Sequence, residues 1–138
     1  MPKGTASQEQ VLKDLAAPIA QTAGTVTGTG IDCKGYDEAL IMLAVGVMPS
    51  TDGTVDVHIE ESAVLGSGYT DITGAVFAIV NAGESLSYVG RLNLRKRKRY
   101  IRAISVVANQ TTPLYIGAVL SQAQKTPVSQ VNTVAFNV

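Results

Sequence analysis

The chain has 138 residues, of which 46% are hydrophobic and 16% charged, with a formal net charge of zero. That length suits one domain with one core and excludes two. The charged share lies well below the usual quarter or so, and zero net charge gives little colloidal protection, so a partner is expected to cover part of the surface.

The chain opens without strand alternation. Gln8 to Ala17 predicts two helical turns, with Val11, Leu12 and Leu15 on one face, Ser7 as N-cap and Pro18 as the stop. So short a helix needs something to dock on. No apolar segment follows the first lysine, so no signal peptide is expected. No apolar run approaches the ~18 residues of a membrane span. A single cysteine, Cys33, allows no internal disulfide, reads as a small buried hydrophobe, and fits synthesis in a reducing compartment.

From residue 25 the character changes. Thr25 to Asp32 is β-branched and punctuated by glycine, and Ala39 to Val47 is a continuous apolar run that reads as a strand buried on both faces. Pro49 to Gly53 supplies turn chemistry. Val55, Val57 and Ile59 then alternate with Asp56, His58 and Glu60, predicting a strand with one dry and one wet face. After a loop ending at Gly68, strands are expected near Tyr69 to Ile72, Ala75 to Val80, Ser85 to Leu94, Tyr100 to Val107 and Leu114 to Leu120. About seven or eight antiparallel strands joined by regularly spaced turns predict an all-β fold, a β-sandwich or jelly roll over residues 25–121. Residues 1–24 and 122–138 are expected to be extended arms. The second carries Val128, Val131, Val134, Phe136 and Val138 among polar residues, too few apolar side chains for a core of its own. Leu12, Leu15, Val131, Val134 and Phe136 are therefore candidate contacts to neighbouring molecules.

Charge is concentrated in one place. Arg91, Arg95, Lys96, Arg97, Lys98, Arg99 and Arg102 are seven of the eleven basic residues, within twelve positions. The pattern reads as a hairpin, with Leu92, Leu94, Ile101 and Ala103 facing in and residues 95–98 turning. The acids lie elsewhere in the sequence, so a polarised molecule is expected, its basic tip neutralised by an acidic protein surface, by solvent or by phosphate. Nucleic acid is the weakest of these, because only Tyr88 and Tyr100 offer rings nearby and no tryptophan exists.

Catalytic signatures are sparse. His58 is the sole histidine. With Asp56 and Glu60 at i±2 it offers a weak divalent-metal grip; the competing reading is a solvated strand face. Neither a Gly-x-Ser-x-Gly elbow nor a phosphate loop appears in the sequence. Glu60 and Glu61, expected on opposite faces of a strand, are poorly placed for acid/base pairing. A non-enzymatic protein without cofactor is the expectation.

The order Gly35-Tyr36-Asp37-Glu38-Ala39-Leu40, then Val55-Asp56-Val57-His58-Ile59-Glu60-Glu61-Ser62, Tyr69-Thr70-Asp71-Ile72, Tyr88-Val89-Gly90 and Lys98-Arg99-Tyr100-Ile101-Arg102 resembles the capsid cement, or decoration, proteins of tailed phages, in particular jelly-roll cement proteins of short-tailed phages. The resemblance spans roughly residues 30 to 120. It implies a jelly roll or β-sandwich on the exterior of an icosahedral head. It further implies contacts where major capsid subunits meet, self-association as a dimer or trimer, and no small molecule, membrane or cofactor. The alternatives are a head-tail joining or tail component, a nucleic-acid-binding module and, with only five tyrosines able to stack, a carbohydrate-binding sandwich.

Overall fold

The computed structural model describes residues 10–48, 51–84, 87–122 and 134–138. Among these described residues eleven strands lie in two sheets: β1 (Gln10–Gln21), β2 (Gly24–Thr27), β3 (Ile31–Asp32), β4 (Glu38–Val45), β5 (Thr54–Ser62), β6 (Thr70–Val76), β7 (Val80–Asn81), β8 (Ser87–Asn93), β9 (Tyr100–Ala108), β10 (Thr112–Ser121) and β11 (Val134–Asn137). One sheet has the order β1-β10-β4-β8-β11. The other runs β2-β9-β5-β6, with β3 also on β9 and β7 also on β5. The all-β sandwich is thus as expected, with more strands than the seven or eight counted from the sequence.

The pairing is nested. β1 meets β10, β2 and β3 meet β9, β4 meets β8, and β5 meets β6 and β7, all antiparallel. The chain is one long double-stranded ribbon bent repeatedly between two layers, and the contacts β10·β4 and β9·β5 close each sheet. The result is an all-β sandwich of two multi-strand sheets.

Alternation explains where the core sits. Ile41, Leu43 and Val45 of β4 face Val55, Val57 and Ile59 of β5 across the sandwich, joined by Leu92, Ile101, Ile116 and Leu120. Period-two burial in β5 is as expected. β4 differs: its residues alternate between buried and half-buried, so the continuous apolar run is covered on one face only. Nothing in the described residues packs over its other face as a second layer.

The expected terminal arms are corrected over the described residues. Gln10–Gln21 is a strand on β10, not a helix. A shift of register between Asp14 and Ala16 accompanies a fully buried Leu15. The helical spacing of Val11, Leu12 and Leu15 was misleading because a bulge breaks strand alternation in the same way that a helical turn would. At the opposite edge, β11 runs parallel to β8. Phe136 there is buried, its ring edge-on to Phe77 at 5.0 Å between centroids. Gly90 makes this possible, since a Cβ at that position would occupy the space of the Phe136 ring. Leu15 and Phe136 therefore serve the protein's own core and are not available to neighbours. The Ser7 N-cap, Val128 and Val131 lie outside the described residues, as does part of the Pro49 turn.

Candidate interaction surfaces

The basic segment is not a hairpin. β8 belongs to the five-stranded sheet and β9 to the other, so residues 94–99 form an arch between layers, begun by a 3-10 turn at Leu94–Lys96. The Asn93 side chain caps that turn by accepting from the Arg95 N–H at 3.1 Å. The partner strand of the ribbon makes the reverse crossing at the same place, from β3 to β4. The two arches are tied by backbone bonds from Leu94 N–H to the Asp37 carbonyl (2.9 Å) and from Cys33 N–H to the Arg99 carbonyl (2.8 Å). Cys33 is buried here, and burial pushes its thiol up to about 12, consistent with the inert hydrophobe expected.

Antiparallel geometry brings the acids of one arch to the arginines of the other. Arg91 lies 3.3 Å from Glu38, Arg95 3.2 Å from Asp37 and Arg99 2.7 Å from Asp32. Beyond the arches, Arg97 reaches Glu61 at 3.8 Å and Arg102 reaches Glu60 at 2.6 Å. Arg99 donates two hydrogen bonds to Asp32, and with the Lys34 backbone N–H these hold the carboxyl down at about 2. The Arg102 guanidinium also lies 3.9 Å above the Tyr69 ring. The polarised molecule is thereby corrected. All five arginines meet carboxylates of their own chain, so a separate acidic partner is not needed to neutralise them. Lys96 and Lys98 are exposed, and among the described residues neither ammonium has a carboxylate within 4.0 Å.

The outer face of the five-stranded sheet is the larger finding. Paired residues share a face, and register places Leu12, Val119, Leu40 and Arg91 in one row across β1, β10, β4 and β8. The next row holds Asp14, Gly117, Met42 and Val89, and the third Tyr115, Ala44 and Ser87. The Tyr115 ring lies over Gly117, where a Cβ would meet it, and its hydroxyl donates to Asp14 at 2.7 Å. That hydrogen bond, with burial, pushes the phenol upward. Leu12 is 59% exposed, while Leu40, Met42, Ala44 and Val119 are half-exposed. The stripe continues into an open groove of about 400 Å³ lined by Pro18, Ile19, Ala44, Pro113 and Tyr115. Leu12 was found from the sequence. Leu40 and Met42 were missed because their strand reads as buried on both faces, and Val119 was not singled out within its strand. The signal available was the shortage of apolar segments to form a third layer. Val134 is in β11, at the edge beside Val89.

The outer face of the other sheet mixes charged and apolar residues, with Ile104 of β9 and Val76 of β6 beside His58. Asp56, His58 and Glu60 of β5 are half-buried, and Arg102 and Val106 flank them from β9. His58 Nε2 lies 3.3 Å from Asp71 Oδ1 and 3.9 Å from Glu60 Oε1. The three side chains offering ligand atoms to one point are thus His58, Glu60 and Asp71, with Asp71 of β6 in place of the expected Asp56.

No known protein family matches the chain, and no curated protein is significantly similar to it. Among the described residues no helix is long and apolar enough to cross a membrane.

Proposed function

We propose that the protein is a structural virion component that binds the exterior of an icosahedral phage head and clamps neighbouring major capsid subunits. The observation that carries this reading is the apolar outer face of the five-stranded sheet. A stripe of Leu12, Leu40, Met42 and Val119 spanning three paired strands costs about 25 cal/mol for each Å² of apolar surface left in water, and a protein partner removes that cost. The all-β sandwich and the resemblance over residues 30 to 120 support the same reading, as does the low charge.

In this reading the apolar face, rather than the arginine segment, meets the shell. The arginines stitch the two sheet-crossing arches together, and within that segment Lys96 and Lys98 offer cations for peripheral steering. The nucleic-acid reading draws little support from the fold, because all five arginines that suggested it face carboxylates. Many modest contacts repeated over a shell give the attachment its avidity.

The test is addition of purified protein to heads lacking it. Binding at a copy number proportional to the major shell subunit, with increased resistance of the shell to heat, is the expected result. Failure to bind, or binding at a single vertex as a joining protein would, overturns the proposal.

A further inference from the structure

The six-stranded sheet carries a group of side chains that the structural role above does not use. We propose that His58, Glu60 and Asp71 form a binding site for a divalent transition-metal ion of the Zn²⁺ class, independent of the reading of function.

The geometry has three parts. First, the ligand atoms converge. A metal bound at about 2.1 Å in tetrahedral geometry separates its ligands by about 3.4 Å, and the His58–Asp71 and His58–Glu60 atoms stand 3.3 and 3.9 Å apart. All three lie within 4.8 Å of one another, so small rotations close the set. Second, the strands fix the convergence. Glu60 and Asp71 are directly paired between β5 and β6, and the irregularity that follows, between Glu60 and His58, lets the imidazole reach the same point. Third, Glu60 is already oriented. Its Oε2 accepts from Arg102 Nε at 2.6 Å, leaving Oε1 towards His58, while Arg102 is itself held over Tyr69. Outer partners of this kind are what orient carboxylate ligands in metal sites.

The donor set selects the ion. One imidazole and two carboxylates suit Zn²⁺, Co²⁺ or Ni²⁺, whereas Ca²⁺ and Mg²⁺ favour oxygen ligands alone. Three protein ligands leave the fourth position to water, on the side where Asp71 is exposed. The nearby Arg102 cation opposes the metal, so the site is one of moderate affinity. Bound metal ties the edge strand β6 to the sheet interior.

Tag-free full-length protein is titrated with Zn²⁺ by calorimetry and with Co²⁺ by absorbance. Expected are one ion per chain, a melting temperature that rises with Zn²⁺, and Co²⁺ bands without thiolate charge transfer. His58→Gln and Asp71→Asn should each weaken binding at least about tenfold. Absence of saturable binding at millimolar metal, undiminished binding in either variant, or a thiolate band from Cys33 would overturn the site. Should His58→Gln fail to fold, Asp71→Asn, at an exposed edge position, decides alone.

Discussion

The two outer faces of this sandwich differ although both are built on the same alternation. On the six-stranded sheet the residues opposite the core include Asp56, His58, Glu60 and Arg102, of which His58, Glu60 and Arg102 make ion pairs with each other and with Asp71, beside the apolar Ile104, Val106 and Val76. On the five-stranded sheet they are Leu12, Leu40, Met42, Val119 and a tyrosine whose hydroxyl is already taken by Asp14. The first face satisfies most of its charged groups within the chain. The second leaves apolar surface half-covered, as a sheet does when another protein supplies the missing layer. Electrostatics in this molecule therefore acts mostly inward, joining strands, while hydrophobic surface points outward.

That contrast can be challenged from several directions. The largest effect belongs to the core beneath the apolar face. Phe136→Ala removes the ring packed on Phe77 and over Gly90, and should destabilise the fold by about 3 kcal/mol or more. Urea denaturation measures it; a negligible change would return the C-terminal strand to the status of an arm.

Next, the double substitution Leu40→Glu with Met42→Glu should reduce occupancy on heads by about thirtyfold or more, the consequence of losing roughly 2 kcal/mol of central contact. Thr25→Glu with Thr27→Glu, on the outer face of the other sheet, should leave occupancy unchanged. Equal losses from both pairs, read by co-sedimentation, would erase the distinction between the faces.

Smaller still is the arch seam. Arg91→Ala removes a partly exposed pair with Glu38 and should cost about 0.2–1 kcal/mol, with attachment to heads little changed. A large loss of attachment with normal melting would move the shell contact to the arginine segment.

The finest effect is a pH dependence. The folded-state carboxyl of Asp32 is depressed from 3.8 to about 2 by Arg99. Its stabilisation is therefore fully present above the unfolded-state value and fades as pH falls from about 4 towards 2. Asp32→Asn should lack this component of the acid dependence in chemical melts across that interval. An identical profile for the two proteins would show that the exposed pair contributes nothing.

Much of the fold was legible from residue pattern. Val55, Val57 and Ile59 against Asp56, His58 and Glu60 stated the strand, its dry face and its orientation. The inward positions of Leu92, Leu94, Ile101 and Ala103 were also found, although the hairpin assumed to connect them is an arch between sheets. Residues 10–21 were misread because the bulge that admits Leu15 imitates helical spacing. Of the candidate surfaces, Leu12 and the arginines were visible as residues. Their roles were not, since the carboxylates at Asp32, Asp37, Glu38, Glu60 and Glu61 are distant in sequence from Arg91–Arg102. The ribbon's nesting brings them together.

What sequence alone determined was the two-residue rhythm of burial and the composition, and with them an all-β sandwich, because alternating side chains admit one apolar face per strand. Which strands share a sheet was settled only in three dimensions, by how a long ribbon bends between layers. That bending decided that the arginines meet the chain's own acids, that His58 meets Asp71, and that Leu40 and Met42 look outward. Pairing partners tens of residues apart are chosen by the closing of the core, a property of the whole chain that no local window contains.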